Sequence, residues 1–229
     1  MNKNYEKIVS LVCNTLVEAG STFREDKKKA YKRAIASEDN EKAKWVLETV
    51  LANVEAAEKN HSPLCDDTGI PHIVLEIGPD AAVTGRMLDA IREGIAKGLR
   101  KLPGRPMGIM GDDCRRIDQS GGLNPDSAGV EPAPILIRRC QDNVIRLHIL
   151  MFGGGPAIRA KTYRVFHKHN MQVVLDEIVN WATEGVAQLG CSPCTLAVGV
   201  GRSHFEATSM MLQAQVDGRY DLQSEMEQE

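Results

Sequence analysis

Two short segments of this chain combine cysteine with residue types that suit metal chemistry. The first is Pro63-Leu64-Cys65-Asp66-Asp67-Thr68-Gly69, and the second, much later, is Gly190-Cys191-Ser192-Pro193-Cys194. Each places a cysteine in a segment marked by Gly or Pro, beside a predicted strand. Thiolates on loops, with acidic and small residues close by, suit a soft metal such as iron in an iron–sulfur cluster. The two segments therefore indicate a metal centre with cysteine ligands.

The first segment also offers groups that could handle a substrate. Gly69 allows a tight turn, which leaves nearby backbone amides available to a cluster sulfide or to a substrate carboxylate. Asp67 could bind a cluster-bound hydroxyl or orient the substrate. The alternative interpretation of Cys65 is a buried structural cysteine that precedes a turn.

The second segment contains a C-x-x-C pair. Cys191 and Cys194 could form a redox dithiol, although no strand precedes them as it does in thioredoxin-like proteins. Zinc would need two more ligands, and His167 and His169, which flank Lys168, are expected to face solvent. The sharper hypothesis joins Cys191 to Cys65 as cluster ligands, with Cys194 as a neighbour or an additional ligand.

Two further features suit an anion. Gly153-Gly154-Gly155 follows an apolar strand, and its amides could close on a negative charge. It does not match the glycine patterns of nucleotide sites. Arg100 ends an amphipathic helix, where it could bind a carboxylate or simply complement the helix dipole.

Composition narrows the class of protein. The 229 residues are 42% hydrophobic and 26% charged, with a net charge of −3 and 4% aromatic residues. These values are typical of a globular protein and argue against nucleic-acid and membrane partners. No apolar run approaches the roughly 20 residues of a membrane span. The start of the chain does not resemble a signal peptide, so we expect a cytoplasmic protein with reduced cysteines.

The pattern of apolar residues predicts an α/β (α+β) fold, with an N-terminal helical block followed by a mixed sheet with packed helices. One domain is expected over 1–229, with a helical part at 1–60 and a mixed part at 61–229. Segment 103–132 is rich in Gly, Pro, Asp and Ser, shows no convincing regular element, and is suspected to border the active site. The other predicted elements are a helical region over 4–60 that includes a helix at Glu25–Ala36, a strand at His72–Ile77, a helix at Val83–Arg100, a hairpin of Ala133–Arg138 with Val144–Phe152, a helix at Val173–Leu189, a strand at Thr195–Gly201 and a last helix from about His204.

Taken together, these motifs resemble the α subunit, or N-terminal domain, of the class I fumarate hydratase and L(+)-tartrate dehydratase family. Segment 62–69 looks like that family's P-x-C-Q-D-T-G motif. The glycine triplet 153–155 matches a triplet of the family. Cys191-Ser192-Pro193, which runs into Val198-Gly199-Val200-Gly201, looks like its C-P-P motif before a glycine-rich strand.

The resemblance implies a hydro-lyase that adds or removes water on a small hydroxy-dicarboxylate, of the fumarate/malate or tartrate type. It implies a [4Fe–4S] cluster that three cysteines hold, with an open iron position acting as a Lewis acid. Partners would be a β-type subunit that carries the base, within a homodimer or an α2β2 assembly. If the family's functional residues are transferred to this sequence, Cys65 and Cys191 would be metal ligands and Asp67 the catalytic residue. The substrate-binding residues would be Asp66, Asp67, Arg100 and Gly155.

The chain departs from the family pattern at several positions. Asp66 stands where the family usually has Gln, and Ser120–Pro125 is at best a remodelled N-T-G motif. Arg159 stands where a Lys follows the triplet, with Pro156 where a Ser is expected. Glu229 comes before the segment that carries the third ligand in the relatives. We therefore expect that a partner completes the site, that Cys194, Cys114 or Cys140 substitutes, or that this is a shortened, non-catalytic member serving as a binding or assembly module.

Overall fold

The computed structural model describes residues 3–67, 69–102, 104, 107–155, 160–189 and 193–223. They fall into two compact units. The first comprises Met1–Gly154 and Arg219–Glu229, and the second comprises Gly155–Gly218. Helices and a small mixed sheet make up the described structure, so the predicted α/β class is confirmed.

Helices α1 (Lys3–Ser21), α2 (Glu25–Ser37) and α3 (Glu41–Asn60) form the predicted N-terminal block. Asn40 starts α3 as an N-cap, because its side-chain oxygen accepts hydrogen bonds from the amides of Lys42 and Ala43 at 3.0 and 3.1 Å. A fourth helix, α4 (Gly85–Lys101), matches the prediction for 83–100 to within two residues at its start and one at its end.

A three-stranded sheet follows the order β2-β1-β3, with β1 at Ile70–Ile77, β2 at Leu136–Arg139 and β3 at Ile145–Phe152. Strand β1 is parallel to β2 and antiparallel to β3. The predicted hairpin of the second and third strands is therefore wrong, because β1 lies between them. The middle of β1 is apolar on both faces of the sheet, and this favours a central position for the strand.

One face of the sheet packs against α1 and α4. Two glycines of α4 allow the helices to approach closely, since a Cβ on Gly94 would lie 2.6 Å from Val12 Cβ and one on Gly98 would lie 3.0 Å from Leu16 Cβ. This face of the sheet and the two helices bury the main core. Its buried members are Val12, Leu16, Ile73, Leu75, Ile91, Ile95, Leu99 and Leu102.

On the other face of the sheet, Glu76 lies between Arg138 of β2 and Arg146 of β3, its partners in the strand register. Arg138 donates to Glu76 Oε1 at 3.0 and 2.6 Å, and Arg146 donates to Oε2 at 3.2 Å. His148 Nε2 lies 3.4 Å from Oε2. Burial alone would raise the pKa of Glu76, but the guanidinium hydrogen bonds outweigh burial and lower this pKa to about 2. The charged network therefore links all three strands.

Segment 103–132 contains regular structure that the sequence did not predict. Helix α5 (Asp113–Asp118) and a 3-10 helix (Ser127–Val130) lie within it, and Ile109 forms an antiparallel bridge with Leu123. Short polar caps start both helices, since Asp112 accepts from the amide of Arg115 and Asp126 accepts from the amide of Ala128. The elements are too short to produce a hydrophobic period, which explains why the pattern missed them.

The second unit contains α6 (Met171–Ala187) and α7 (His204–Asp217), both near their predicted positions. The strand predicted at Thr195–Gly201 is absent. The backbone of this segment packs on α7, because a Cβ on Gly199 would lie 2.0 Å from the carbonyl oxygen of Ala207. None of the described helices combines the length and the apolarity that crossing a membrane requires.

Candidate functional site

The candidate site lies at the end of the sheet where β1 begins and β3 ends. Because these strands are antiparallel, Ile70 pairs with Phe152. The Cys65 segment, which enters β1, is thereby brought to the glycine triplet, which leaves β3. The structure places these two predicted motifs side by side although they are far apart in the sequence.

The loop that carries Cys65 is anchored by hydrogen bonds to two helices. The amide of Leu64 donates to the carbonyl of Gly20 at the end of α1, at 2.9 Å. The side chain of Asn53 on α3 donates to the carbonyl of Leu64, also at 2.9 Å. Cys65 itself is exposed. A fixed loop with an exposed thiol suits a metal ligand better than the alternative of a buried structural cysteine.

Asp66 folds back on its own loop. Its Oδ1 accepts a hydrogen bond from the amide of Asp67 at 3.0 Å and lies 3.7 Å from Cys65 Sγ. The side chain is exposed, so it is accessible to a ligand. The structure therefore places Asp66 and the cysteine sulfur on the same side of the loop.

Asp67 joins the two motifs directly. Its Oδ2 accepts a hydrogen bond from the amide of Gly154 at 3.0 Å. Gly154 and Gly155 have helical backbone. A carboxylate that accepts from a backbone amide is stabilised by a charge-assisted hydrogen bond. Asp67 is therefore a positioned carboxylate, with its charge turned toward the glycine triplet.

Gly69 is required where these strands meet. Its φ is +97°, and a Cβ there would lie 1.8 Å from the carbonyl oxygen of Phe152. At Gly155, in contrast, a Cβ would meet no atom of the described residues within 4 Å. The two glycines thus differ, since the described residues exclude a side chain at Gly69 but not at Gly155.

Met107 is a residue of this site that sequence reasoning missed. A Cβ on Gly154 would lie 2.8 Å from Met107 Cε and 3.5 Å from both carboxylate oxygens of Asp67. Just after segment 103–132, the amide of Ala133 donates to the carbonyl of Pro71, near the start of β1, at 2.9 Å. Met107 within the segment and Ala133 after it thus lie at this end of the sheet. No sequence signal marks a single methionine in such a loop.

Arg100, in the last turn of α4, forms a bidentate ion pair with Asp126. Its Nε donates to Oδ1 at 3.0 Å and its Nη2 donates to Oδ2 at 2.7 Å. The hydrogen bond to Asp126 raises the pKa of Arg100, and the same bond lowers the pKa of Asp126. Sequence reasoning did not single out Asp126. The signal was present in Asp126-Ser127, an acidic cap before a short helix.

The cysteines predicted to share a cluster are only partly described. Cys191 lies outside the described residues. Cys194 is exposed in the second unit, Cys114 is exposed on α5, and Cys140 is half-buried with its Sγ 3.3 Å from the carbonyl of Asp142. Within the described ranges, no three His, Cys, Asp or Glu side chains converge as a metal site would require. Of the two predicted ligands Cys65 and Cys191, Cys65 therefore lies among the described residues and Cys191 does not.

The chain matches a known protein family and is similar to proteins of two organisms. The family model described as fumarate hydratase (Fumerase) matches residues 9–229. The chain is 27% identical over 198 residues to the protein named "Putative L(+)-tartrate dehydratase subunit alpha" of Methanocaldococcus jannaschii, covering 85% of this chain and 66% of the relative. It is 24% identical over 156 residues to "Putative fumarate hydratase class I" of Geobacillus stearothermophilus, covering 68% of this chain and 28% of the relative. The match thus spans less than two thirds of either relative.

Proposed function

Because the chain belongs to the fumarate hydratase family, we propose that it is the α-type part of a hydro-lyase that uses a [4Fe–4S] cluster. Its substrate would be a small hydroxy-dicarboxylate of the fumarate/malate or tartrate type. A β-type subunit would supply the base, within an α2β2 or related dimeric assembly in the cytoplasm. One relative is named as an α subunit, which supports a two-subunit enzyme.

The observation that carries the proposal is the meeting of Cys65, Asp67 and the glycine triplet at one end of the sheet. An exposed thiol on an anchored loop suits a cluster ligand, and its chemistry is that of a thiolate bound to iron. Cys191 would be a second ligand, and Cys194 is a candidate for an additional one. When bound, the cluster would supply a Lewis acid that polarises a hydroxyl group without redox chemistry.

The chain's own residues would bind and orient the substrate. Arg100 would pair with one carboxylate of the substrate, since a guanidinium recognises a carboxylate through two parallel hydrogen bonds. The amide of Gly155 would donate to the substrate, since a Cβ on this residue would meet no described atom within 4 Å. Asp66 and Asp67 would border the reacting carbons, with Asp67 held in place by Gly154.

Asp67 is proposed as the catalytic carboxylate of this chain. Its hydrogen bond to Gly154 restricts the side chain to one position, which lowers the cost of orienting it in the transition state. Elimination of water from L-malate gives fumarate. From L(+)-tartrate it gives the enol of oxaloacetate, which rearranges to oxaloacetate. Both reactions remove one hydroxyl and one proton from adjacent carbons, so one arrangement of carboxylates serves either substrate.

The test is dicarboxylate binding and turnover in the anaerobically reconstituted protein, assayed with its β-type partner. Fumarate formation from L-malate and oxaloacetate formation from L(+)-tartrate are followed separately. We expect Asp67→Asn to lower turnover by about a hundredfold or more while substrate still binds. Glu48→Gln, which alters an exposed carboxylate on α3, is the control and should retain activity. Full activity of Asp67→Asn would contradict the proposed role.

The same experiment also tests the alternative that the protein is a non-catalytic member of the family. A family member that serves as a binding or assembly module would associate with a partner but turn over neither substrate, with or without iron. Turnover of either substrate excludes that alternative. Lack of turnover in an iron-loaded complex would favour it.

A further inference from the structure

The guanidinium of Arg100 is bound along one edge and open along the other. Asp126 takes the edge formed by Nε and Nη2. Within the described part of the chain, Nη1 makes no hydrogen bond, and the Arg100 side chain is 55% exposed. An arginine has five N–H donors in a fixed plane, so a second carboxylate can bind along the edge formed by Nη1 and Nη2.

The carboxylate of Asp126 is itself fixed by the turn that carries it. Its Oδ1 also accepts from the amide of Ala128 at 3.1 Å, as the N-cap of the 3-10 helix. The amide of Asp126 donates to the side chain of Asn124 at 3.0 Å. The next residue, Ser127, donates through its hydroxyl to the carbonyl of Leu99 at 2.9 Å, beside Arg100. The turn is therefore tied to the end of α4, and the guanidinium plane is set by a rigid acceptor.

Stability alone does not account for this pair. Both side chains are about half exposed, and ion pairs in that setting contribute little to the free energy of unfolding. What a bidentate pair adds is orientation, because two parallel hydrogen bonds restrict both the position and the plane of the guanidinium. Asp126 also belongs to segment 103–132, in which Met107 lies beside Gly154.

We propose that Asp126 is a positioning residue, which holds Arg100 by its Nε edge so that the Nη1–Nη2 edge meets a substrate carboxylate. This inference rests on the proposed function, because it takes Arg100 as the residue that binds the substrate. It assigns a role to Asp126, a residue that lies outside the motifs identified from the sequence. Asp126 touches no substrate and acts through Arg100.

The test compares Asp126→Asn, Asp126→Ala, Asp126→Glu and Arg100→Gln in the reconstituted protein with its partner. Calorimetry with L-malate and with L(+)-tartrate gives the dissociation constant, and steady-state kinetics separates KM from kcat. Asp126→Asn keeps an oxygen that can cap Ala128, so it tests orientation with the turn retained. We expect Asp126→Asn and Asp126→Ala to raise KM and the dissociation constant by about tenfold, with kcat changed less than about threefold. Asp126→Glu should restore part of the loss.

A second readout does not depend on turnover. The Nε–H resonance of Arg100, observed by NMR in protein labelled with ¹⁵N at arginine, should exchange slowly in the wild type because Asp126 accepts it. It should exchange fast in Asp126→Ala, and added dicarboxylate should shift the Nη resonances of Arg100 in the wild type. Unaltered Nε–H exchange in Asp126→Ala would overturn the proposal even if that variant folds poorly in the assay.

The variants distinguish failure of this inference from failure of the proposed function. If Arg100→Gln binds both dicarboxylates like the wild type, Arg100 is not a substrate ligand and the proposed function loses that assignment. If Arg100→Gln loses binding while both Asp126→Asn and Asp126→Ala keep it, Asp126 does not position the arginine. Wild-type protein that binds neither dicarboxylate would overturn both.

Discussion

The amide of Gly154 donates to the carboxylate of Asp67 at 3.0 Å, a hydrogen bond that spans 87 residues of sequence. This bond forms because β1 begins and β3 ends at the same end of the sheet, where Ile70 pairs with Phe152. Asp67 follows the candidate cluster ligand Cys65 by two residues. The bond therefore couples the cysteine loop to the glycine triplet, the two parts on which the proposed function depends.

Loss of this bond should loosen the end of the sheet. Asp67→Ala removes an acceptor whose hydrogen bond is charge-assisted, so we expect the free energy of unfolding to fall by about 2 kcal/mol. The amide of Gly154 should exchange faster in hydrogen–deuterium exchange. Asp66→Ala, which alters the exposed neighbouring carboxylate, should leave that amide protected. Equal protection in all three proteins would show that the bond is not maintained in solution.

Gly69 should tolerate no side chain. Gly69→Ala places a Cβ 1.8 Å from the carbonyl of Phe152 at a φ of +97°, so both a clash and backbone strain oppose it. We expect a loss of more than about 3 kcal/mol in chemical denaturation. The matched control is Gly85→Ala at the start of α4, where a Cβ meets nothing within 4 Å. That variant should change stability by less than about 1 kcal/mol.

The Glu76 network should make the protein sensitive to acid. The pKa of Glu76 falls from 4.5 to about 2 on folding, despite burial, because Arg138 and Arg146 donate to it. A lowered carboxylate pKa stabilises the folded state above pH 4.5, and this contribution disappears as the pH falls toward 2. We expect Glu76→Gln to be less stable than the wild type at pH 7 by at most about 3 kcal/mol.

That difference between wild type and Glu76→Gln should narrow as urea titrations move from about pH 5 toward pH 2. Glu48→Gln, on the exposed surface of α3, serves as the control and should follow the wild type. A stability difference for Glu76→Gln that stays constant over this range would mean that the ionised carboxylate is not what the arginines stabilise.

The single domain predicted over 1–229 can be tested by its unfolding. The described structure has two compact units, and the chain passes from the first to the second at Gly154 and back at Gly218. A single domain should unfold in one transition, with calorimetric and van't Hoff enthalpies that agree. Two resolved transitions in calorimetry would instead assign the units as separate domains.

Much of the fold could be predicted because its long helices carry a clear apolar period. Helix α4, with Ile91, Ile95 and Leu99 on one face, is an example. The strand order could not be predicted, because local patterns show that β2 and β3 exist but not that β1 lies between them. The available hint in the sequence was the run of three apolar residues Ile73-Val74-Leu75, which the structure buries on both faces of β1.

For the candidate site, the sequence identified groups but not their contacts. Cys65, Asp67 and the glycine triplet were recognised from their types, and the structure shows that Asp67 and Gly154 meet. The contact of Met107 with Gly154 and the pairing of Arg100 with Asp126 depend on how a long loop folds, which no short pattern encodes. Cys191 lies outside the described residues, so its place beside Cys65 stays a prediction.

The central claim is that Cys65 and Cys191 hold one iron–sulfur cluster. The most direct measurement is iron and acid-labile sulfide per chain after anaerobic reconstitution, in the wild type, Cys65→Ser, Cys191→Ser and Cys13→Ala. Cys13 is buried in α1 and is not a candidate ligand, so its variant controls for loss of any cysteine. We predict that both iron and sulfide are lost in Cys65→Ser and Cys191→Ser and retained in Cys13→Ala. A folded wild-type protein that takes up no iron, or full cluster content in Cys65→Ser, would contradict the account.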